Sequence, residues 1–317
     1  MKYCINYAKD FRFMDEVDEI ILNHYSGSDF VIEFVPKLVK ENKSQRIIVN
    51  LLDIKIDKIS EPIIYIAKLI HDGYNMAVII LDKKEIIDMC KENNVPFFFS
   101  KHATNLETAY SMAEMGVSDI YVVEELGFRI KDLKYLKDKY NIKIRVFPNI
   151  AQSTKNSVIK PMERFWIRPE DTELYEPYVD VFELLSGEDT TRLSVVYEIY
   201  KQRQWLGTIN DLILDFQEPI VPNTGISPHF GDMRLNCGKR CHLGRCNICT
   251  QMISFAEAFD NAGLEIVKKR YKPEYTEEDY EKAKELYKKL EERKEGESRS
   301  DQESDNNESE SIEQNSL

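Results

Sequence analysis

The feature that most constrains this chain is an alternation along its length. A short run of β-branched or aromatic residues ends in polar residues, and a charged amphipathic stretch follows. Eight such runs lie at 4–8, 46–52, 76–81, 96–101, 119–125, 142–148, 164–168 and 179–185. They are near-continuously apolar, as strands buried on both faces must be. A ninth run, 19–23, suits either a strand or the end of an early helix, because periodicity does not separate the two in so short a stretch. The stretches between them read as helices. Residues 83–93 place Ile86, Ile87, Met89 and Cys90 on one face. Residues 105–115 open with an Asn cap, carry Glu107 in the first turn and stop before Gly116. Residues 130–140 repeat Ile130, Leu133, Leu136 and Tyr140 at helical spacing, and 191–205 form a long amphipathic stretch that closes before Gly207.

Helices of about eleven residues between strands of about six imply right-handed crossovers and a parallel sheet. The expected fold class is α/β, a (β/α)8 TIM-barrel-like parallel barrel. An open doubly wound sheet is the alternative, but no glycine-rich phosphate fingerprint follows the first strand. The barrel is expected over 1–207. Residues 208–290 are expected to hold an irregular Pro/Gly-rich connection, a cysteine knot and two C-terminal helices, at 251–262 and from 276 to about 292.

Charge sharpens this division. The 317-residue chain carries a formal net charge of −13, yet residues 291–317 alone hold ten Asp/Glu and three Lys/Arg. That stretch has almost no apolar content, so it cannot offset its ordering entropy by burial and is expected to be a disordered acidic tail. The acidic balance argues against a broad electrostatic grip on nucleic acid, while leaving room for a local basic site. No apolar run approaches the roughly 20 residues of a membrane-spanning helix. The first residues, MKYCINYAKDFRF, are charged too early for a secretory signal, so a cytoplasmic protein with no membrane partner is expected.

The cysteines are distributed as in a metal site. Cys4 and Cys90 lie alone in apolar patterns, and the other four form CGKRCHLGRCNIC, a C-x3-C-x4-C-x2-C spacing. Cys237, Cys241, Cys246 and Cys249 can converge on one centre if the chain turns at Gly238 and Gly244. Soft thiolates select an iron–sulfur cluster or zinc. A compact run of unequal gaps favours a [4Fe-4S] cluster, and zinc is the alternative, since its sites more often use two close pairs separated by a longer loop. His229 and His242 are alternative ligands. Arg234, Lys239, Arg240 and Arg245 would offset thiolate charge or bind an anionic substrate; solvated loop cations are the plainer reading.

In a (β/α)8 barrel, chemistry gathers where strands end. Those positions hold Asn50, Asp53, Asp82, Lys101, His102, Glu124, Glu125, Asn149, Arg168, Glu170, Asp171 and Glu183. A polar, carboxylate-rich mouth is therefore expected, suited to acid–base work or to a small polar ligand. Polar residues also follow strands merely because loops are solvated. His102 stands out because it directly follows the aromatic run PFFFSK, and Arg168 because it lies between the apolar FWI and Pro169. The expected catalytic set is His102, Glu125 and Arg168. The sequence contains no HExxH helix and no P-loop.

Residues 97–153, FFFSKHATNLETAYSMAEMGVSDIYVVEELGFRIKDLKYLKDKYNIKIRVFPNIAQS, together with WIRPEDTELYEPYVDVFELL at 166–185 and CHLGRC at 241–246, resemble the collagenase-like peptidases of family thirty-two, a family of unclassified mechanism. The likeness covers much of 45–250. In this chain Val146 and Phe147 lead into Pro148 and Asn149, and all four clustered cysteines come after the eighth strand. The resemblance implies a barrel-like fold and, as in several members, a four-cysteine iron–sulfur cluster. Some members are named peptidases; others take part in hydroxylation of RNA bases or of a quinone precursor. Three functions follow as expectations: an iron–sulfur barrel that modifies RNA or a small aromatic substrate, a peptidase and hence a hydrolase, or a non-enzymatic zinc-stabilised module that binds a protein partner.

Overall fold

Strand β1 (Lys2–Asn6) joins the N-terminal and C-terminal halves of one parallel sheet. It lies parallel to β2 (Glu19–Leu22) on one side and to β9 (Val181–Leu184) on the other. The remaining strands are β3 (Arg46–Asn50), β4 (Met76–Ile80), β5 (Phe97–Phe99), β6 (His102–Ala103), β7 (Asp119–Val122) and β8 (Lys143–Val146). Their order is β5-β4-β3-β2-β1-β9-β8-β7-β6, with parallel pairing between neighbours. β5 and β6 are two segments of one passage, interrupted at Ser100 and Lys101. β5 pairs with β4, and β6 pairs with β7. The Ser118 backbone N–H donates to the Phe97 carbonyl at 2.8 Å, which ties β5 to the start of β7 as well. Nine segments thus fill eight places around a parallel barrel, the expected (β/α)8 architecture.

This computed structural model describes residues 2–23, 32–150, 165–185, 189–214 and 221–235. The four clustered cysteines, His242, Lys239, Arg240, Arg245, the two expected C-terminal helices and the acidic tail lie outside those residues.

Two strand expectations change. The ambiguous run at 19–23 is a strand, β2, and it takes a place in the barrel. The run at 164–168 has no regular strand over its described residues. Its apolar side chains have another reason to be apolar. Trp166 is buried and packs on Phe230, 5.3 Å between ring centres, where the C-terminal extension covers it. An apolar run reports burial, and it does not by itself report pairing.

Among the described residues the helices are α1 (Val35–Glu41), α2 (Ser60–His71), α3 (Lys84–Glu92), α4 (Leu106–Glu114), α5 (Glu124–Phe128), α6 (Ile130–Tyr140), α7 (Thr172–Tyr175), α8 (Thr190–Gln202), α9 (Ile209–Leu212) and α10 (Phe230–Arg234). Their ends follow local chemistry. The Asn105 side chain caps α4 by accepting from Thr108 N–H at 2.9 Å, and Asp189 caps α8 by accepting from Arg192 N–H at 2.8 Å. α6 and α8 stop where Asn141 and Arg203 turn left-handed, with φ of 52° and 58°. α3 buries Ile86, Ile87 and Cys90. Outside the barrel, Tyr3 of β1 meets Tyr197 of α8 edge-on, 5.5 Å between ring centres, and donates through its hydroxyl to the Tyr200 carbonyl at 2.7 Å. No helix among the described residues is long and apolar enough to cross a membrane.

The extension after α8 docks on the barrel flank. Leu214 N–H donates to the Asn149 carbonyl at 2.8 Å. Arg168 holds Asp171 through two hydrogen bonds, 2.7 and 2.8 Å, and donates to the Ser227 carbonyl at 3.2 Å. Arg234 is buried, donates to the Trp166 carbonyl at 3.0 Å, and stands 4.4 Å from the Phe128 ring and 4.9 Å from the rings of Trp166 and Phe230. Its cation is stabilised by ring faces and a carbonyl.

Candidate functional site at the C-terminal mouth of the barrel

The pleat decides which residues enter the barrel. Alternate residues of each strand point inward, so the interior is a stack of layers. At the N-terminal side that layer is ionic. Arg46 at the start of β3 grips Asp119 at the start of β7 with two hydrogen bonds, 2.7 and 2.8 Å. Arg145 of β8 donates to Glu19 of β2 and, at 3.0 Å, to Asp119. Lys143 stands 3.7 Å from Glu19. One step further in, Tyr121 donates to Glu183 at 2.6 Å, and Glu183 lies 3.5 Å from Arg145. The Arg145 guanidinium stands 5.2 Å from the Phe98 ring and 5.4 Å from the Tyr121 ring.

These charges answer one another. Burial alone would raise the Glu19 and Asp119 carboxyls, but the adjacent guanidiniums of Arg145 and Arg46 hold both below the usual carboxylate range. Burial dominates at Glu183 and pushes its carboxyl up, against the pull of Arg145. Burial also pushes the Cys4 thiol well up, so Cys4 is a neutral thiol beside Arg145. A buried charge network at the N-terminal side of a barrel is a structural device rather than a reactive one.

The opposite end differs. Asn6 ends β1, Asn23 follows β2 and Asn50 ends β3. Their amides form one chain. Asn50 Nδ2 donates to Asn23 Oδ1 at 2.8 Å, and Asn23 Nδ2 donates to Asn6 Oδ1 at 2.7 Å. Across the barrel stands an aromatic wall. His102 lies 5.5 Å from the Tyr121 ring and 5.3 Å from the Phe147 ring, and Phe147 stacks flat on Tyr121 at 4.9 Å with 8° between planes. Burial pulls the His102 imidazole below its ordinary range, which keeps it neutral near pH 7. A neutral imidazole offers one donor and one acceptor.

The other expected site residues fall elsewhere. Glu183 faces the barrel interior below the mouth and is held by Tyr121 and Arg145. Asp53, Asp82 and Lys101 are exposed. Asn149 clamps the ends of β8 and β9, donating to the Leu185 carbonyl and accepting from Leu185 N–H at 3.0 Å. Glu170 is occupied on the flank, accepting from Trp205 N–H at 2.7 Å and from Asn223 at 2.8 Å. Arg168 and Asp171 form the flank pair described above. Glu125 lies on the backbone of α5, and its side chain is outside the described residues, as is that of Glu124. His229 is exposed and stands 3.9 Å from Asp232. Of the expected catalytic set, the described structure therefore places His102 in the mouth. Across the mouth from it stand the asparagines at 6 and 23. Sequence reasoning missed both, because single asparagines at strand ends read as ordinary loop starts. Among the described residues no group of three or more His, Cys, Asp or Glu side chains is arranged to hold a metal ion.

No family model matches the sequence. No curated protein matches it either. Among solved structures the chain is similar to a thiamine phosphate pyrophosphorylase from Pyrococcus furiosus, at 9% identity and a TM-score of 0.38, covering 64% of this chain and 97% of that one. It is also similar to a cube-shaped, highly porous cage designed by fusing symmetric oligomeric domains, at 11% identity and a TM-score of 0.35, covering 91% and 99%. The barrel assignment stands on the chain's own strand pairing, which runs unbroken from β5 through β1 to β6.

Proposed function

We propose that this protein is an iron–sulfur barrel enzyme that modifies an uncharged planar ring, an RNA base or a small aromatic molecule, at the C-terminal mouth of the barrel. The observation that carries the reading is the mouth itself: a wall of neutral amides faces a wall of stacked rings, while the buried charges pair with one another below. Such walls suit a flat, hydrogen-bonding ligand without net charge. The donor set at Cys237, Cys241, Cys246 and Cys249 fits a [4Fe-4S] cluster in chemistry and spacing. These four thiolates would hold the cluster, which supplies electron transfer when bound. The resemblance to the hydroxylation-linked members of family thirty-two points the same way. His102 would stack on the ring edge and hold it by a hydrogen bond, and Phe147 and Tyr121 would exclude water.

The imidazole signal of His102 tests the reading. In protein labelled on its five histidines, His102→Gln assigns that signal. A short single-stranded RNA or a neutral phenol is expected to move it selectively. A signal that ignores both probes yet responds to a casein-derived peptide would overturn the reading in favour of a peptidase.

A further inference from the structure

The three mouth asparagines are polarised, and the polarity is not open to choice. Leu52 N–H donates to Asn50 Oδ1 at 3.0 Å. A backbone N–H can only donate, so Asn50 must turn its oxygen to Leu52 and its Nδ2 to Asn23. Asn23 then accepts with its oxygen and donates with its Nδ2 to Asn6 Oδ1. The Asn6 Nδ2 stands at the end of the chain, and it meets no acceptor among the described residues. Each amide polarises the next, and the donor at the free end is strengthened. By strand order, β1 is four places from the β5–β6 passage in an eight-place barrel, so Asn6 stands opposite His102. An eight-stranded barrel is just wide enough at this level for side chains or one small ligand.

The geometry points to a specificity device. We infer that Asn6 reads a carbonyl oxygen on the bound ring, with Asn23 and Asn50 acting as positioning residues that fix which way Asn6 faces. The ligand class is an uncharged planar ring bearing a carbonyl acceptor toward β1; a ring that presents an N–H donor there is rejected. This deepens the reading of the mouth given above and rests on it.

Two neutral fragments test the rule: 1-methyl-2-pyridone, which presents a carbonyl, and aniline, which presents N–H donors. Binding is read from the fragments' own NMR signals and from the His102 imidazole. The wild-type protein is expected to prefer the pyridone, and Asn6→Ala to bind it about two- to tenfold more weakly, the worth of one neutral hydrogen bond. Asn6→Asp, which turns the donor into an acceptor, is expected to reverse the preference. Asn50→Ala touches no ligand but releases the anchor, and it should erase the discrimination while binding of both fragments persists. A short single-stranded RNA that competes with the pyridone assigns the carbonyl to a nucleobase; failure to compete assigns it to a free small molecule. Should the variants fold poorly, side-chain amide exchange in the wild-type protein gives an independent reading. Both Asn6 amide protons should exchange fast, and one proton each of Asn23 and Asn50 should be protected. If His102 responds to both fragments equally and Asn6→Asp changes nothing, the mouth stands and the polarity rule falls. If neither fragment moves His102, the mouth reading falls with it.

Discussion

At the scale of residues, the interior separates two kinds of polar group. Arg46, Arg145, Glu19 and Asp119 pair within the barrel, and removing one partner would leave an uncompensated buried charge. His102 has rings for neighbours, so its state depends on burial alone. That gives a pH dependence with a definite sign. The folded imidazole titrates below its ordinary value of 6.5, so the folded protein binds fewer protons than the unfolded chain in that window. The His102 contribution to stability is complete above 6.5 and is lost as pH falls through the depressed value. Urea unfolding from pH 7.5 down to about pH 5 is expected to show this decline, and His102→Gln to flatten it. An unchanged slope in the variant would mean that His102 is hydrated in the folded state. His102 was legible in the sequence because a titratable residue directly follows the aromatic run PFFFSK. The amide chain was not, because its meaning lies in contacts between residues 6, 23 and 50, which only the pairing and register of β1, β2 and β3 bring together.

At the scale of elements, the run at 164–168 shows what pattern reading can confuse. Its apolar residues are buried without forming a regular strand: Trp166 packs on Phe230 of α10 and Phe165 on Phe128 and Tyr175, and Arg168 and Arg234 belong to that packing. Helices α1 and α2 escaped the sequence reading because their patterns sit between strong strands and lack the capping residues that mark α4. Gly231 tests the flank. A Cβ there would lie 2.6 Å from Asp171 Cγ and 2.8 Å from Leu174 Cδ1. Gly231→Ala must therefore displace the carboxylate that Arg168 holds, and it is expected to cost about 1–3 kcal/mol. Trp166 and Trp205, the protein's two tryptophans, both report on this region. Their fluorescence should shift to the red and the urea midpoint should fall. A variant with native fluorescence and midpoint would show that the extension does not depend on this close approach.

At the scale of the whole molecule, the alternation of apolar runs and amphipathic stretches specifies a parallel sheet, because each run must be covered on both faces, and strand number together with the missing glycine-rich fingerprint favours the barrel over an open sheet. The exact eight places were harder to read. One strand came from an ambiguous run at 19–23, and one place is shared by two short segments, β5 and β6. The acidic net charge described the chain poorly, since ten of its acidic residues lie in the last 27 positions. The four-thiolate segment is the part of the account read from spacing, and metal content tests it most directly. Protein isolated without oxygen should be brown and carry about four irons and four acid-labile sulfides per chain, and Cys241→Ser should lose them. A colourless protein holding one zinc per chain would contradict the account.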